Sequence, residues 1–215
     1  MPRRLAIARA LVIVCAAVAL AAVPTTRAGA ATPTAELKRY TDRVLEVLRT
    51  PNLSPAQRRA MVRDLAIEAF DMTETARRAL GPHWQRRTPE EREEFVKVFR
   101  DLLEETYVSR IDEYGGERVE YTGERVDGDS AVVRANIVTK SGTAVPVESR
   151  LLQKGGHWLV YDILVENVSL VGNYRAQFDR VIRSSSYEDL VKRLKQRVAE
   201  LGEKPPKPGP APAQR

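Results

Sequence analysis

The chain has 215 residues, 43% of them hydrophobic, and its 35 basic and 29 acidic side chains give a formal net charge of +6. Four of the basic side chains lie in residues 1–30, which hold no acidic residue, so the rest of the chain has 31 basic and 29 acidic side chains, a formal charge of +2. This balance removes the main support for a nucleic-acid-binding function, because no dense basic stripe interleaved with aromatic residues remains. The only cysteine, Cys15, also lies in the first 30 residues, which excludes disulfides and thiolate sites elsewhere.

The first 30 residues have the pattern of a cleaved secretion signal. A head with three arginines precedes an apolar run of 14 residues, 10–23, and Ala28 and Ala30 are the small residues that a signal peptidase reads. Because a membrane-spanning helix needs about 20 apolar residues, the run favours a signal peptide over an anchor. We therefore expect cleavage after Ala30.

Start and stop signals predict three helices after this segment. Apolar residues at helical spacing favour a helix over residues 36–49, which Pro51 ends. Ser54, a capping residue followed by proline, begins the second helix. Asp71 caps a short third helix that ends at Gly81.

The fourth helix has the clearest start signal. Thr88 can cap it, Pro89 fits its first turn, and two glutamates follow near its positive end. We expect the helix to run to about Tyr114. Its apolar face consists of Phe95, Phe99, Leu102, Leu103, Tyr107 and Ile111.

The apolar pattern then changes from helical spacing to alternation. Glycine-containing turns are predicted at 127–129, 141–142 and 154–156. They separate four strands, which we expect to form an antiparallel meander with one apolar face. Two more helices are predicted over residues 169–183 and 187–201, with Ser186 as a cap.

Helices before and after an antiparallel meander predict an α+β fold. We expect the helices to pack on a curved four-stranded sheet, as in cone-shaped NTF2-like or cystatin-like folds, with an internal apolar pocket between the sheet and the long helix. Residues 31–201 would form this single domain. Residues 202–215, which include five prolines, predict a disordered tail.

Residues suited to catalysis are sparse. The two histidines, His83 and His157, each lie beside a tryptophan, and they lack the spacing of metal ligands. Asp162 is the best candidate for a general base, because burial in its apolar strand could raise its pKa. An ion pair between Asp162 and an arginine such as Arg175 is the simpler interpretation.

The most informative stretch is residues 158–182, where an apolar strand passes through Glu166 and Asn167 into an amphipathic helix. Other motifs accompany it in chain order: Phe70-Asp71-Met72, Leu80-Gly81, Trp84, Thr88-Pro89-Glu90-Glu91-Arg92, Phe95, Leu102-Leu103, Thr106-Tyr107, Trp158, Tyr161-Asp162, Val168-Ser169-Leu170-Val171, Asn173-Tyr174-Arg175 and Phe178. This ordered set resembles the MlaC (toluene-tolerance) family and covers about residues 34–201. Residues 186–189 depart from the pattern, since the family often has glycines there.

The resemblance implies a soluble periplasmic phospholipid carrier. Such a carrier shuttles lipids between an inner-membrane ABC transporter complex with an MCE-domain ring and an outer-membrane MlaA–porin complex, and so maintains the lipid asymmetry of the outer membrane. It implies no enzymatic activity and no cofactor, with bound phospholipid as cargo.

For a lipid pocket, we expect three groups of apolar side chains to line the chamber. The strand group assumes regular alternation, which a one-residue slip would reverse. The groups are Val133, Ile137, Val147, Leu151, Tyr161 and Ile163 on the strands, Phe99, Leu103 and Tyr107 on the long helix, and Val171, Tyr174 and Phe178 at one end.

Two other functions fit the same sequence. An enzyme on a cone-shaped fold would use Asp162 with Tyr161 or Tyr107 in proton transfer, in a small polar cavity. A periplasmic adaptor or chaperone would have a solid core, would bind protein on its apolar face and would carry no lipid.

Overall fold

The computed structural model describes residues 31–203. The predicted signal peptide, residues 1–30, lies outside the described residues, as do residues 204–215 of the predicted tail. The last helix reaches Glu203, two residues beyond its predicted end.

Each predicted helix forms, and its start follows a local capping signal. The capping boxes at Ser54 and Thr88 are both complete, each hydroxyl accepting a backbone N–H while the side chain three residues on accepts one in return. In the described range the α-helices are α1 (Pro33–Arg49), α2 (Pro55–Ala69), α3 (Met72–Leu80), α4 (Pro89–Tyr107), α5 (Leu170–Ser184) and α6 (Tyr187–Glu203). Short 3-10 helices follow α3 (Gly81–Arg86) and α4 (Val108–Glu113).

The long helix α4 ends earlier than predicted. Its α-helical part stops at Tyr107, and the chain continues to Glu113 as a 3-10 helix. In a 3-10 helix, residues three apart lie nearly above one another. Val108 and Ile111 therefore both pack on the same apolar cluster against α1 and α2.

The sheet is an antiparallel meander with a small fifth strand that the sequence analysis missed. Its order is β1 (Arg118–Asp127), β2 (Ser130–Val138), β3 (Ala144–Lys154), β4 (His157–Val165) and β5 (Val168–Ser169). Glu166 and Asn167 have left-handed backbone angles, φ 50° and 65°, and form the two-residue turn between β4 and β5. The predicted α+β fold is confirmed. The β4–β5 hairpin leads directly into α5.

A β-bulge interrupts the alternation in β4. Arg150 pairs with Asp162 and Leu151 pairs with Val160, which leaves Tyr161 as an extra residue. As a result, Val160 before the bulge and Ile163 after it belong to the same apolar cluster, although their numbers differ in parity.

The core of residues 31–203 consists of three clusters. The helical core joins α3 to α6 around the fully buried Phe95 and Phe99. The sheet core consists of Ala131, Val133, Leu151, Trp158 and Val160, with Leu37, Phe70, Tyr121 and Ile163 packed against it. The N-terminal core consists of Val47, Val62 and Leu65, with Val44, Leu48, Leu53, Val108 and Ile111 against it.

The buried carboxylate of Glu36 links α1 to β4 through hydrogen bonds. Glu36 is 4% exposed, accepts the Trp158 backbone N–H at 3.2 Å and lies 3.1 Å from His157 Nδ1. Burial by itself would raise the pKa of Glu36, but these contacts and Arg39 outweigh it and lower the pKa. The charged form of Glu36 is therefore the one that the fold stabilises.

Glu74 on α3 stabilises the fold in a pH-dependent way. Hydrogen bonds from Arg77 and Arg78, which outweigh the effect of burial, lower its pKa from 4.5 to about 2. Because the pKa is lowered, this stabilisation is complete above pH 4.5 and is lost as the pH falls toward 2.

We expect Glu74→Gln to reduce the free energy of unfolding at pH 7 by about 1 kcal/mol, a value that allows for solvent screening at the partly exposed arginines. Urea unfolding of both proteins at a series of pH values measures this effect. The difference should shrink below pH 4.5. A difference that stayed constant down to the lowest pH would contradict the ion-pair explanation.

Candidate functional site

A cavity of about 850 Å³ lies where the three core clusters meet. Its walls come from α2, α4, the end of β4, and the segment from β5 into α5. The volume falls within the range of about 300–1,000 Å³ that is usual for ligand sites. A pocket between the long helix and the sheet was predicted, whereas the wall formed by α2 was not.

Helical spacing explains the two long walls. On α4, Arg100, Leu103, Glu104 and Tyr107 line the cavity, and their spacing of three, four and seven places them on one face. Ala66 and Ile67 line it from α2, Phe70 follows α2, and Met72 is the first residue of α3. Most of this lining is apolar.

The strand end and the start of α5 close the remaining side. Ile163 and Val165 contribute from β4, Val168 and Ser169 from β5, and Leu170 and Asn173 from α5. Four apolar lining residues are exposed to solvent, namely Ile67 (48%), Tyr107 (50%), Val165 (44%) and Val168 (63%). Exposed apolar residues gathered around one opening are typical of a binding surface.

The lining includes the charged residues Arg100, Glu104 and Glu166, and Glu104 lies in the wall formed by α4. Glu104 is partly buried, and its Oε2 lies 2.8 Å from Arg63 Nε on α2. Its Oε1 lies 3.8 Å from Arg100 Nε on α4. Burial raises the pKa of Glu104, and the two arginines partly offset this effect.

Asp162 has a structural role beside the cavity, not in its lining. Its carboxylate is 4% exposed and accepts hydrogen bonds from the Ser169 hydroxyl at 2.7 Å and the Val171 backbone N–H at 3.0 Å. Its cationic neighbour is Arg150 at 3.7 Å, so the suggested pairing with Arg175 was wrong. These contacts fix the start of α5 against β4.

Three of the twelve residues predicted to line a lipid chamber, Leu103, Tyr107 and Ile163, do line this cavity. The other nine lie elsewhere. Phe99, Val171, Tyr174 and Phe178 belong to the helical core, where the ring of Phe99 lies 5.0 Å from Tyr174 and 5.3 Å from Phe178. Side chains that pack together in this way leave no space for a ligand between them.

Five of the six predicted strand residues lie outside the cavity lining. Val133 and Leu151 fill the sheet core, and Ile137 and Val147 are half-buried outside the cavity lining. The bulge at Tyr161 removes it from the alternation, and the Arg78 guanidinium lies 4.0 Å above its ring.

The sequence analysis missed the contribution of α2 and of the β4–β5 turn. Phe70 and Val168 occur only as parts of the sequence motifs, and neither Ile67 nor Val165 was predicted to line the cavity. One signal for this wall was present in the sequence. Asn167 is a residue type that favours turns, and Val165 and Val168 flank the Glu166-Asn167 pair, so a turn there would leave the two valines near the surface.

Some features are absent from the described part of the chain. Within residues 31–203, no group of three His, Cys, Asp or Glu side chains could hold a metal ion. In the same range, no helix is both long and apolar enough to span a membrane.

Comparison with known proteins identifies the family. Residues 38–196 match the family model described as MlaC protein. The chain is 24% identical over 152 residues to the intermembrane phospholipid transport system binding protein MlaC of Haemophilus influenzae, which covers 68% of this chain and 71% of that protein. It is 27% identical over 92 residues to toluene tolerance protein ttg2D of Pseudomonas putida, which covers 42% of this chain and 43% of that protein.

A solved structure has the same fold. The phospholipid-binding protein from Ralstonia solanacearum, in complex with a phospholipid, superposes with a TM-score of 0.70 and is 27% identical. The match covers 79% of this chain and 98% of that chain. Since the family model matches well over half of the sequence, this chain belongs to the MlaC family.

Proposed function

We propose that this protein is a phospholipid carrier that holds the acyl chains of its cargo in the cavity between α2, α4, β4 and α5. The observation that carries the proposal is the apolar cavity of about 850 Å³ in a fold whose solved relative is complexed with a phospholipid. We propose that Leu103, Tyr107 and Ile163 contact the chains, together with Ala66, Ile67 and Phe70. Phe99, Val171, Tyr174 and Phe178 would support α4 and α5 from the helical core.

The energetics of acyl chains favour a carrier that releases its cargo only at a membrane or a partner. Burial of a methylene from water contributes about 0.8 kcal/mol, so the chains would scarcely leave the cavity for water. Relative to a bilayer the chains are already buried, so the net transfer energy can be near zero. The exposed apolar residues around the opening would let chains pass without crossing water.

The wider role follows from the family and from the predicted signal peptide. We propose that residues 1–30 direct export, that residues 31–201 form the carrier domain and that the mature protein acts in the periplasm. It would shuttle phospholipid between an inner-membrane ABC transporter complex with an MCE-domain ring and an outer-membrane MlaA–porin complex. The curated relative in H. influenzae is named for an intermembrane phospholipid transport system, which supports this assignment.

We propose that the protein acts without catalysis and without a cofactor. Both carboxylate oxygens of Asp162 are engaged with the start of α5, which does not favour a general base. The interpretation as an adaptor predicts a solid core, and the cavity does not favour it either.

Native mass spectrometry of the mature protein purified from a bacterial periplasm tests the proposal, with lipid extraction from the same sample. We expect a mass increment equal to one or more phospholipids, present in most molecules. A protein that carries no lipid, and that takes up none from vesicles, would contradict the carrier function.

A further inference from the structure

Two charged residues of α4, Arg100 and Glu104, line the cavity, although acyl chains alone would need only apolar side chains. Among the described residues that line the cavity, Arg100, Glu104 and Glu166 carry charge, and the first two lie one helical turn apart. The Glu104 side chain is 16% exposed. An ionised carboxylate at an apolar wall costs free energy unless cations accompany it.

Of the two cations beside Glu104, Arg63 lies close, and Arg100, which lines the cavity, is held loosely. Arg63 approaches from α2, whereas Arg100 lies 3.8 Å from Glu104 and 3.5 Å from Asp101. Charged hydrogen bonds are normally about 2.7–2.9 Å long. Both contacts of Arg100 are therefore weak, and its guanidinium can turn to a better acceptor at small cost.

A phosphodiester is the acceptor that suits Arg100, since a guanidinium binds phosphate oxygens in pairs. If Arg100 turned toward phosphate, Glu104 would lose part of its compensation. A cation carried by the same ligand would replace it. Residues four apart on a helix have neighbouring side chains, so an ammonium separated from the phosphate by a short spacer can reach Glu104.

The charge of the lining favours the same class of headgroup. One cation and two carboxylates line the cavity, Arg100 against Glu104 and Glu166. A lipid with an anionic headgroup adds negative charge to a site already rich in carboxylate. A zwitterionic lipid adds one charge of each sign and leaves the balance unchanged.

We infer that Arg100 and Glu104 form a headgroup site that binds the phosphodiester and the primary ammonium of a zwitterionic phospholipid, in preference to an anionic one. This inference rests on the proposed carrier function. Arg100 binds the phosphate, which all phospholipids share, and Glu104 distinguishes the headgroups.

Competitive loading tests the inference. The delipidated mature protein is incubated with vesicles of equal phosphatidylethanolamine and phosphatidylglycerol content with identical acyl chains, and the bound lipids are quantified by mass spectrometry. We expect the wild-type protein to bind at least about threefold more phosphatidylethanolamine, a difference well within one charged contact. Glu104→Gln should bring the ratio close to one with the total lipid unchanged.

Matched variants separate the two parts of the site. Glu105→Gln, at the next position on α4 and outside the cavity lining, should keep the wild-type ratio. Arg100→Gln should lower the amount of both lipids. Circular dichroism melts of each variant establish that it is folded.

The outcomes distinguish this inference from the proposed function. A wild-type ratio near one, or a ratio that Glu104→Gln leaves unchanged, would overturn the headgroup site while the carrier stands. Full loading of Arg100→Gln would overturn its phosphate contact. A wild-type protein that takes up neither lipid would remove the carrier function itself.

Discussion

Ala66→Trp should leave the purified protein with less than about a tenth of the wild-type content of phospholipid. Ala66 lines the cavity from the last turn of α2, and Leu103 and Ile163 line it from α4 and β4. An indole ring projected from this position would occupy the volume that the acyl chains need. A loss of even about 1.4 kcal/mol in binding is a tenfold loss in affinity.

The same helix supplies the control. Ala60 is exposed and does not line the cavity, so Ala60→Trp makes the same chemical change outside the site. Both variants should melt within a few degrees of the wild-type protein, because the indole at position 66 enters existing space. Wild-type lipid content in a folded Ala66→Trp protein would show that cargo binds elsewhere.

Asp162→Asn should lower the free energy of unfolding by about 1–3 kcal/mol, because an amide can accept at only one of its two polar atoms. The Ser169 hydroxyl or the Val171 N–H then loses its acceptor, and Arg150 loses its buried counter-charge. For a protein of this size, each kcal/mol corresponds to about 2–4 °C in the melting temperature.

Thermal unfolding of Asp162→Asn, compared with Asp42→Asn, measures this effect. Asp42 is an exposed carboxylate paired with Lys38, and its loss should change the melting temperature little. Lipid content per folded molecule should stay near the wild-type value in both variants. An unchanged melting temperature for Asp162→Asn would contradict the structural role and revive Asp162 as a functional group.

The parts of the fold that local chemistry determines could be predicted from the sequence. Ser54 and Thr88 begin α2 and α4 because each side chain bonds to backbone groups within its own first turn. The glycine turns of the meander likewise depend on a few adjacent residues. Signals of this kind lie in one short stretch of chain, so no knowledge of distant contacts is needed.

The site could be predicted only in part, because it depends on contacts between distant segments. Alternation along β4 suggested that Tyr161 and Ile163 face the same way, but pairing with β3 places a bulge at Tyr161. Phe99 and Leu103 both belong to the apolar stripe of α4, yet one is enclosed by Tyr174 and Phe178 and the other faces the cavity. No pattern within α4 distinguishes them.

The division of the core into three clusters has a consequence for turnover of the protein in the cell. Several apolar side chains at the junction are exposed to solvent, among them Ile67 and Tyr107, so the proposed cargo would complete their packing. A ligand that binds only the folded state raises its stability by mass action. Molecules without lipid should therefore unfold more often than molecules with lipid, and proteases should cleave them sooner. Proteolysis would then favour the survival of lipid-loaded protein.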